Sequence, residues 1–161
     1  MVFTVNKKHL LKHFQKDPVL FAYHLGDLDA FHFAHCQWAA DYQERARIEE
    51  AVLIYSGSKI PTVMAFGVTP RFSTFLSELM DLLPKKFYGH YQKEMRRHFH
   101  KAYKEKRLGS LWKMKLVDSA KAKKVYQTTG ENIIKLDQSR GDELDKFYAS
   151  AYPDGYFDRR M

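Results

Sequence analysis

Cysteine is almost absent from this sequence, with Cys36 the only one. An intrachain disulfide is therefore excluded, and nothing points to an oxidising compartment. No base motif accompanies the thiol, so it reads as a small buried apolar side chain. Long apolar runs are missing as well. No stretch approaches the roughly 20 residues that a spanning helix requires. The opening Met1-Val2-Phe3-Thr4-Val5-Asn6 has no charged region followed by an apolar one. Neither a membrane partner nor a signal peptide is expected, and the expected location is the cytoplasm. The 8 glycines include no G-x-G-x-x-G and no G-x-x-x-x-G-K-S/T, the two spacings that cradle phosphates with backbone amides. A G-x-S-x-G elbow is absent too, so serine hydrolysis has no support. Internal repeats and low-complexity stretches are also lacking.

What is present is a chain of 161 residues, enough for one full domain with a proper core but not for two. An apolar share of 45% with 15% aromatics excludes a disordered chain. The net charge of +8 is regional: residues 85–124 hold 14 basic against 3 acidic groups, a local surplus of 11, whereas residues 1–84 hold 8 against 9. Such a region attracts phosphate-bearing partners, or simply makes solvated faces.

The order of elements is informative. Leu10, Leu11 and Phe14 mark a short first helix that stops at Asp17-Pro18. That pair also opens a second helix, with Asp17 as N-cap and Pro18 at the first position, running to Gly26. Ala51–Tyr55 reads as a buried strand, Ser56–Lys59 as a turn and Pro61–Phe66 as a second strand, so a hairpin is expected. A weaker strand precedes them near Gln37–Tyr42. Phe72, Phe75, Leu76, Leu79, Met80 and Leu83 form one helical stripe, capped by Thr69 and closed by Pro84. A short strand is expected at Lys86–His90. A basic amphipathic helix follows, with Tyr91, Met95, Phe99, Ala102 and Tyr103 on its apolar face and Lys93, Arg97, Lys101 and Lys104 on its charged face. Leu111–Val117 alternates like a half-exposed strand, and Val125-Tyr126 belongs to a last one. Thr128–Asn132 reads as a linker, Ile133–Leu136 as a strand, and Leu144, Phe147, Tyr148 and Ala151 mark a final helix.

Candidate sites are few. His32, His35 and Cys36 lie close together but match no zinc spacing, and His98 and His100 diverge on a helix, so no metal site is expected. The carboxylate groups Asp27/Asp29, Glu49/Glu50 and Asp142/Glu143/Asp145 are neighbours in sequence rather than partners across a cleft. Asp142 and Glu143 suit the first turn of their helix. The remaining candidate is the anion-binding face Lys93, Arg97, Lys101 and Lys104. Its interleaved aromatics Tyr91, Phe99 and Tyr103 fall on the apolar side of the helix, where they cannot stack on bases, so nucleic acid is not the expected partner.

The element order resembles the GNAT (general-control-related N-acetyltransferase) fold, an α/β fold with a mixed, largely antiparallel sheet flanked by helices. Three stretches are similar to a group of two-domain GNAT proteins: Lys16-Asp17-Pro18-Val19-Leu20-Phe21-Ala22-Tyr23-His24-Leu25-Gly26-Asp27-Leu28-Asp29, Leu83-Pro84-Lys85-Lys86-Phe87-Tyr88-Gly89-His90, and the ending from Ala151 through Pro153-Asp154-Gly155 to Met161. The resemblance implies a degenerate amino-terminal GNAT-like domain at residues 1–128. Residues 129–161 would then be the first strand and helix of a catalytic domain. In GNAT enzymes the pyrophosphate of acetyl-CoA sits on a loop of the form Arg/Gln-x-x-Gly-x-Gly/Ala, held by amides at a helix N-terminus. The corresponding stretch here, Gly67-Val68-Thr69-Pro70-Arg71-Phe72, has one glycine in the wrong place, and Pro70 has no N–H to offer. Gln127–Asn132 ends in Asn and precedes a strand. The implied parent protein is an acetyl-CoA-dependent N-acetyltransferase whose cofactor loop lies beyond Met161. No catalytic, cofactor-binding or metal residue is carried over, and this chain is expected to bind no acetyl-CoA alone. Its partners would be the second GNAT domain or, through the apolar face of the last helix, another copy of itself. The alternative is a polyanion or nucleic-acid-binding module using region 85–124.

Overall fold

The computed structural model describes residue 3 and residues 5–43, 47–121 and 138–151. The chain divides into two compact units, Met1–Lys115 and Leu116–Met161. The expected boundary at 128/129, the linker, and the strands at Val125-Tyr126 and Ile133–Leu136 fall outside the described residues, as does nearly all of the 151–161 ending.

The first unit is an α/β assembly around a four-stranded mixed sheet. Its strands are β1 (Cys36–Gln43), β2 (Arg47–Tyr55), β3 (Thr62–Ala65) and β4 (Tyr88–Tyr91), in spatial order β1-β2-β3-β4. The β1–β2 and β2–β3 pairs are antiparallel, and β3–β4 is parallel. Helices α1 (Lys7–Phe14), α2 (Ala22–Gly26) and α3 (Ala30–Phe33) precede the sheet. Helix α4 (Phe72–Leu79) crosses from β3 to β4, and α5 (Arg96–Ala102) follows β4.

Period-two alternation sends successive side chains to opposite faces, and both faces are covered. Val52 and Ile54 join Ala39, Val63 and Ala65 beneath the α4 stripe of Phe72, Phe75, Leu76 and Leu79, with Phe99 from α5. Ala51 and Leu53 join Trp38 and Ala40 against Leu10, Phe14, Phe21 and Leu28. This double burial explains why β2 reads as an unbroken apolar run rather than an alternating one. Phe14 is fully buried among the rings of Phe21 (centroids 5.0 Å), His24 (4.9 Å) and Trp38 (5.5 Å). Truncation to alanine leaves a cavity that tight packing cannot refill. We expect Phe14→Ala to cost about 3–5 kcal/mol in chemical denaturation; a loss below about 1 kcal/mol would contradict this packing.

Several expectations shift by a turn. The second helix is α2, starting at Ala22, although Asp17 does its capping work one turn earlier: its Oδ1 accepts from Leu20 N–H at 3.0 Å and its carbonyl from Phe21 N–H at 3.0 Å. Tyr91 belongs to β4, opposite Ala65, and the following helix begins only after a 3₁₀ turn at Lys93–Met95. Leu111–Val117 is not a strand. Residues 104–118 carry no regular secondary structure, because alternation makes a strand only where an edge pairs with it.

In the second unit, the helix Gly141–Ala151 carries Asp142 and Glu143 in its first turn, where the helix dipole favours them. Phe147 on this helix is 58% exposed.

Candidate functional site

The carboxyl ends of parallel strands, with the amino end of the crossover helix between them, are where open α/β sheets bind ligands. Here that place is the Phe66–Arg71 loop between β3 and α4, beside Gln92 after β4. The loop is tightly built. A Cβ on Gly67 would overlap the Phe72 ring, so only glycine lets the chain pass. Thr69 begins the helical turn: its hydroxyl accepts from Arg71 N–H at 3.2 Å and its carbonyl from Phe72 N–H at 3.2 Å.

The loop's anion-binding groups are already occupied by the chain itself. Gly67 N–H donates to Gln92 Oε1 at 3.0 Å. Thr69 N–H donates to Glu50 Oε1 at 3.0 Å. The Arg71 guanidinium pairs with Asp41 at 3.1 Å and Glu49 at 3.4 Å. Pro70 has no N–H. Glu50 is fully buried, and burial is the main reason its carboxyl is pushed above the usual range, against the downward pull of Thr69 and the Val68 N–H. Its second oxygen, Oε2, meets no partner at hydrogen-bond geometry among the described residues.

A β-bulge aims these acids. Asp41 pairs with Glu50 but Tyr42 pairs with Ile48, so Glu49 is an extra residue in β2. The bulge flips the parity of the strand. Ile48 then packs with the α1 side of the core while Glu50 is buried beneath the loop. Three carboxyl groups therefore surround the place where a pyrophosphate would need positive potential. In sequence, Glu49 and Glu50 stand out as a doublet. Their partners lie some twenty residues downstream, which no local pattern reports.

The expected anion face is only partly assembled. Lys93 sits in the 3₁₀ turn, Arg97 and Lys101 lie one turn apart on α5, and Lys104 falls beyond Tyr103, the extended residue that ends the helix. All four are exposed. Arg96, Arg97 and His100 line an open depression, but Arg96 is paired with Glu105 at 3.0 Å. Arg97 leans toward α4 and donates to Ser73 Oγ at 3.0 Å. That hydroxyl also meets His98 Nε2 at 2.8 Å, while Ser77 Oγ meets His98 Nδ1 at 2.9 Å. Ser77 donates its only hydroxyl proton to the Ser73 carbonyl at 2.9 Å. His98 Nδ1–H therefore donates to Ser77, and Nε2 accepts from Ser73. Desolvation, with help from Arg97 and Lys101, keeps His98 below the usual imidazole range. The network clamps α5 to α4. Tyr91 and Phe99 stack with centroids 4.3 Å apart against the core.

The histidine and thiol group near β1 is likewise satisfied internally. His32 Nδ1 bonds Asp29 Oδ2 at 2.8 Å, and Cys36 Sγ donates to the His32 carbonyl at 3.2 Å. Burial pushes the thiol up to about 12, so it is a proton donor at neutral pH and not a nucleophile. Among the described residues no three metal-ligating side chains converge, and no helix is long and apolar enough to cross a membrane.

No family model, no curated protein and no solved structure matches this chain.

Proposed function

We propose that the chain is the amino-terminal, non-catalytic GNAT-like part of an acetyl-CoA-dependent N-acetyltransferase. The observation that carries the non-catalytic half is the self-occupied loop: Gly67, Thr69 and Arg71 give their donors to Gln92, Glu50, Asp41 and Glu49. An incoming pyrophosphate would have to displace all of them and sit among carboxyl groups. The family half is supported by the element order, three antiparallel strands followed by a crossover helix and a parallel strand, together with the three stretches of similar sequence. The domain then shapes the substrate side or the interface with a catalytic GNAT domain, which holds the cofactor. An experimental structure tests the family half: it should superimpose on the amino-terminal half of GNAT domains element for element, and another topology would refute it. An assay of acetyl transfer to amines tests the other half. No turnover is expected, and turnover by this chain alone would refute it.

A second reading is favoured by the exposed cations around the Arg96/Arg97/His100 depression. On it, Lys93, Arg97, Lys101 and Lys104 bind a polyanion through phosphates without base stacking, since Phe99 is buried and Tyr91 and Tyr103 pack against the core. Affinity for a polyphosphate would then fall with salt on a log–log slope of about −3, and Arg97→Ala/Lys101→Ala would flatten it. A salt-independent affinity removes this reading.

A further inference from the structure

We propose that the corner formed by Asp17, Leu20, Tyr23 and Phe66 is a binding seat for a primary alkylammonium group, now taken by the chain's own Lys113. Around Lys113 the side chains turn outward: Leu108, Leu111, Trp112 and Met114 are 74%, 77%, 89% and 90% exposed. Lys113 alone of these turns in. Its ammonium donates to the Leu20 carbonyl, stands 3.9 Å from the centroid of the Phe66 ring and lies 5.3 Å from that of Tyr23. Burial lowers the Lys113 ammonium below the usual lysine range, and the charge of the Asp17 carboxylate opposes that shift in part.

Each component suits a cation that has three donors and no acceptor. One carbonyl accepts, a carboxylate acts on the ammonium through its charge without a direct hydrogen bond, and two aromatic faces supply negative potential. The neighbouring histidines do not compete as cations. His24 is fully buried and His90 half-buried, and burial, reinforced by Lys113 itself, holds both rings toward the neutral form. The components come from separate places in the fold, namely the turn before α2, α2 itself and the residue after β3. They stand independently of the 104–118 segment, so the seat recognises the ammonium group and not its tether. An exposed tether with no secondary structure places its cation near the seat at an effective concentration of about a millimolar. A free amine therefore meets an internal competitor.

The experiment is an NMR titration of Lys113→Ala and the wild-type chain with n-butylammonium chloride, using sodium chloride at equal ionic strength as the blank. Saturable shifts of the Tyr23 and Phe66 ring signals are expected in Lys113→Ala, with affinity about two-fold tighter than in the wild-type chain for a seat whose Kd is about a millimolar, and more for a tighter seat. Tyr23→Ala and Phe66→Leu, each placed in the Lys113→Ala background, should remove the shifts. Tyr23 is 52% exposed, so its loss leaves the core intact; leucine at 66 keeps the volume and removes the ring. A parallel titration with a single-lysine peptide and its acetylated form separates the sources. Tighter binding of the unmodified peptide assigns the seat to protein lysines, and tighter binding of the free amine assigns it to small amines. Equal affinity in wild type and Lys113→Ala, unchanged binding in Phe66→Leu, or equal binding of the acetylated peptide would each overturn the proposal. The titration contains no acetyl-CoA, so its failure is separate from failure of the function proposed above.

Discussion

Acidifying the protein from pH 7 to pH 4 is expected to destabilise it strongly, with the emission of Trp38 shifting to the red where its buried indole meets water. The cause is two histidines that are buried in neutral form. His13 is 2% exposed and its Nδ1–H donates to the Ile48 carbonyl at 3.1 Å, while Nε2 has no partner among the described residues. Burial, then the charge of Lys16, lowers it to about 4. His24 has no exposure, and neither ring nitrogen meets a hydrogen-bond partner among the described residues. Burial, then Lys113, lowers it to about 3, with the Met64 carbonyl pulling the other way from outside hydrogen-bond geometry. Folded values below the unfolded 6.5 mean that the unfolded chain binds more protons in this range. Stability is thus complete above pH 6.5 and is lost as the pH falls toward 4 and then 3. By pH 4 each ring accounts for about 3 kcal/mol, a large share of an ordinary domain's total of roughly 5–15 kcal/mol. Glu50 works in the opposite sense over part of the range, since its raised carboxyl stabilises the fold on the acid side. His24→Leu removes one of the two proton sites and should move the acid midpoint to lower pH. The exposed Trp112 is best replaced by phenylalanine so that the signal reports Trp38 alone. An unchanged thermal midpoint between pH 7 and pH 4 would contradict neutral burial of these rings.

The second large effect is at Glu50. Glu50→Ala should cost about 3 kcal/mol, because it leaves the Thr69 N–H without its acceptor and opens a void under the loop. For a unit of this size that is a fall of roughly 10–20 °C in Tm. Hydrogen exchange at Thr69 should accelerate in step. Glu50→Gln is the informative contrast, since it keeps an oxygen for Thr69 and removes the acid. Its expected cost is under about 1 kcal/mol. Burial raises the folded Glu50 value above 4.5, so the stabilisation it gives is present below 4.5 and lost as the pH rises through the folded value. The glutamine variant should therefore improve relative to the native chain as the pH rises. An alanine variant as stable as the native protein would mean that Glu50 does not hold the loop.

Much of the fold is legible in the sequence where one physical pattern dominates. The α4 stripe is visible because Phe72, Phe75, Leu76 and Leu79 all face one side of the sheet. The β2–β3 hairpin is visible because β2 is apolar on both faces. Legibility fails where tertiary partners decide. Tyr91 fits a helical stripe by spacing but is drawn into β4 by Ala65 across the sheet. Leu111–Val117 alternates perfectly well, yet its one inward residue, Lys113, is held by a cation seat rather than by a strand edge. The site was the least legible part. Gly67 and Pro70 already marked a poor phosphate loop. That Glu50, Gln92, Asp41 and Glu49 fill the loop's donors depends on a bulge and on a strand pairing that no local run of residues encodes.

The most direct measurement is calorimetric titration of acetyl-CoA into the 161-residue chain at moderate salt. A trace indistinguishable from dilution is the expected result, because the Gly67 and Thr69 N–H groups and the Arg71 guanidinium are already engaged by Gln92, Glu50, Asp41 and Glu49. Saturable one-to-one binding would contradict the non-catalytic reading, and would mean that the pyrophosphate displaces Gln92 and Glu50 from Gly67 and Thr69.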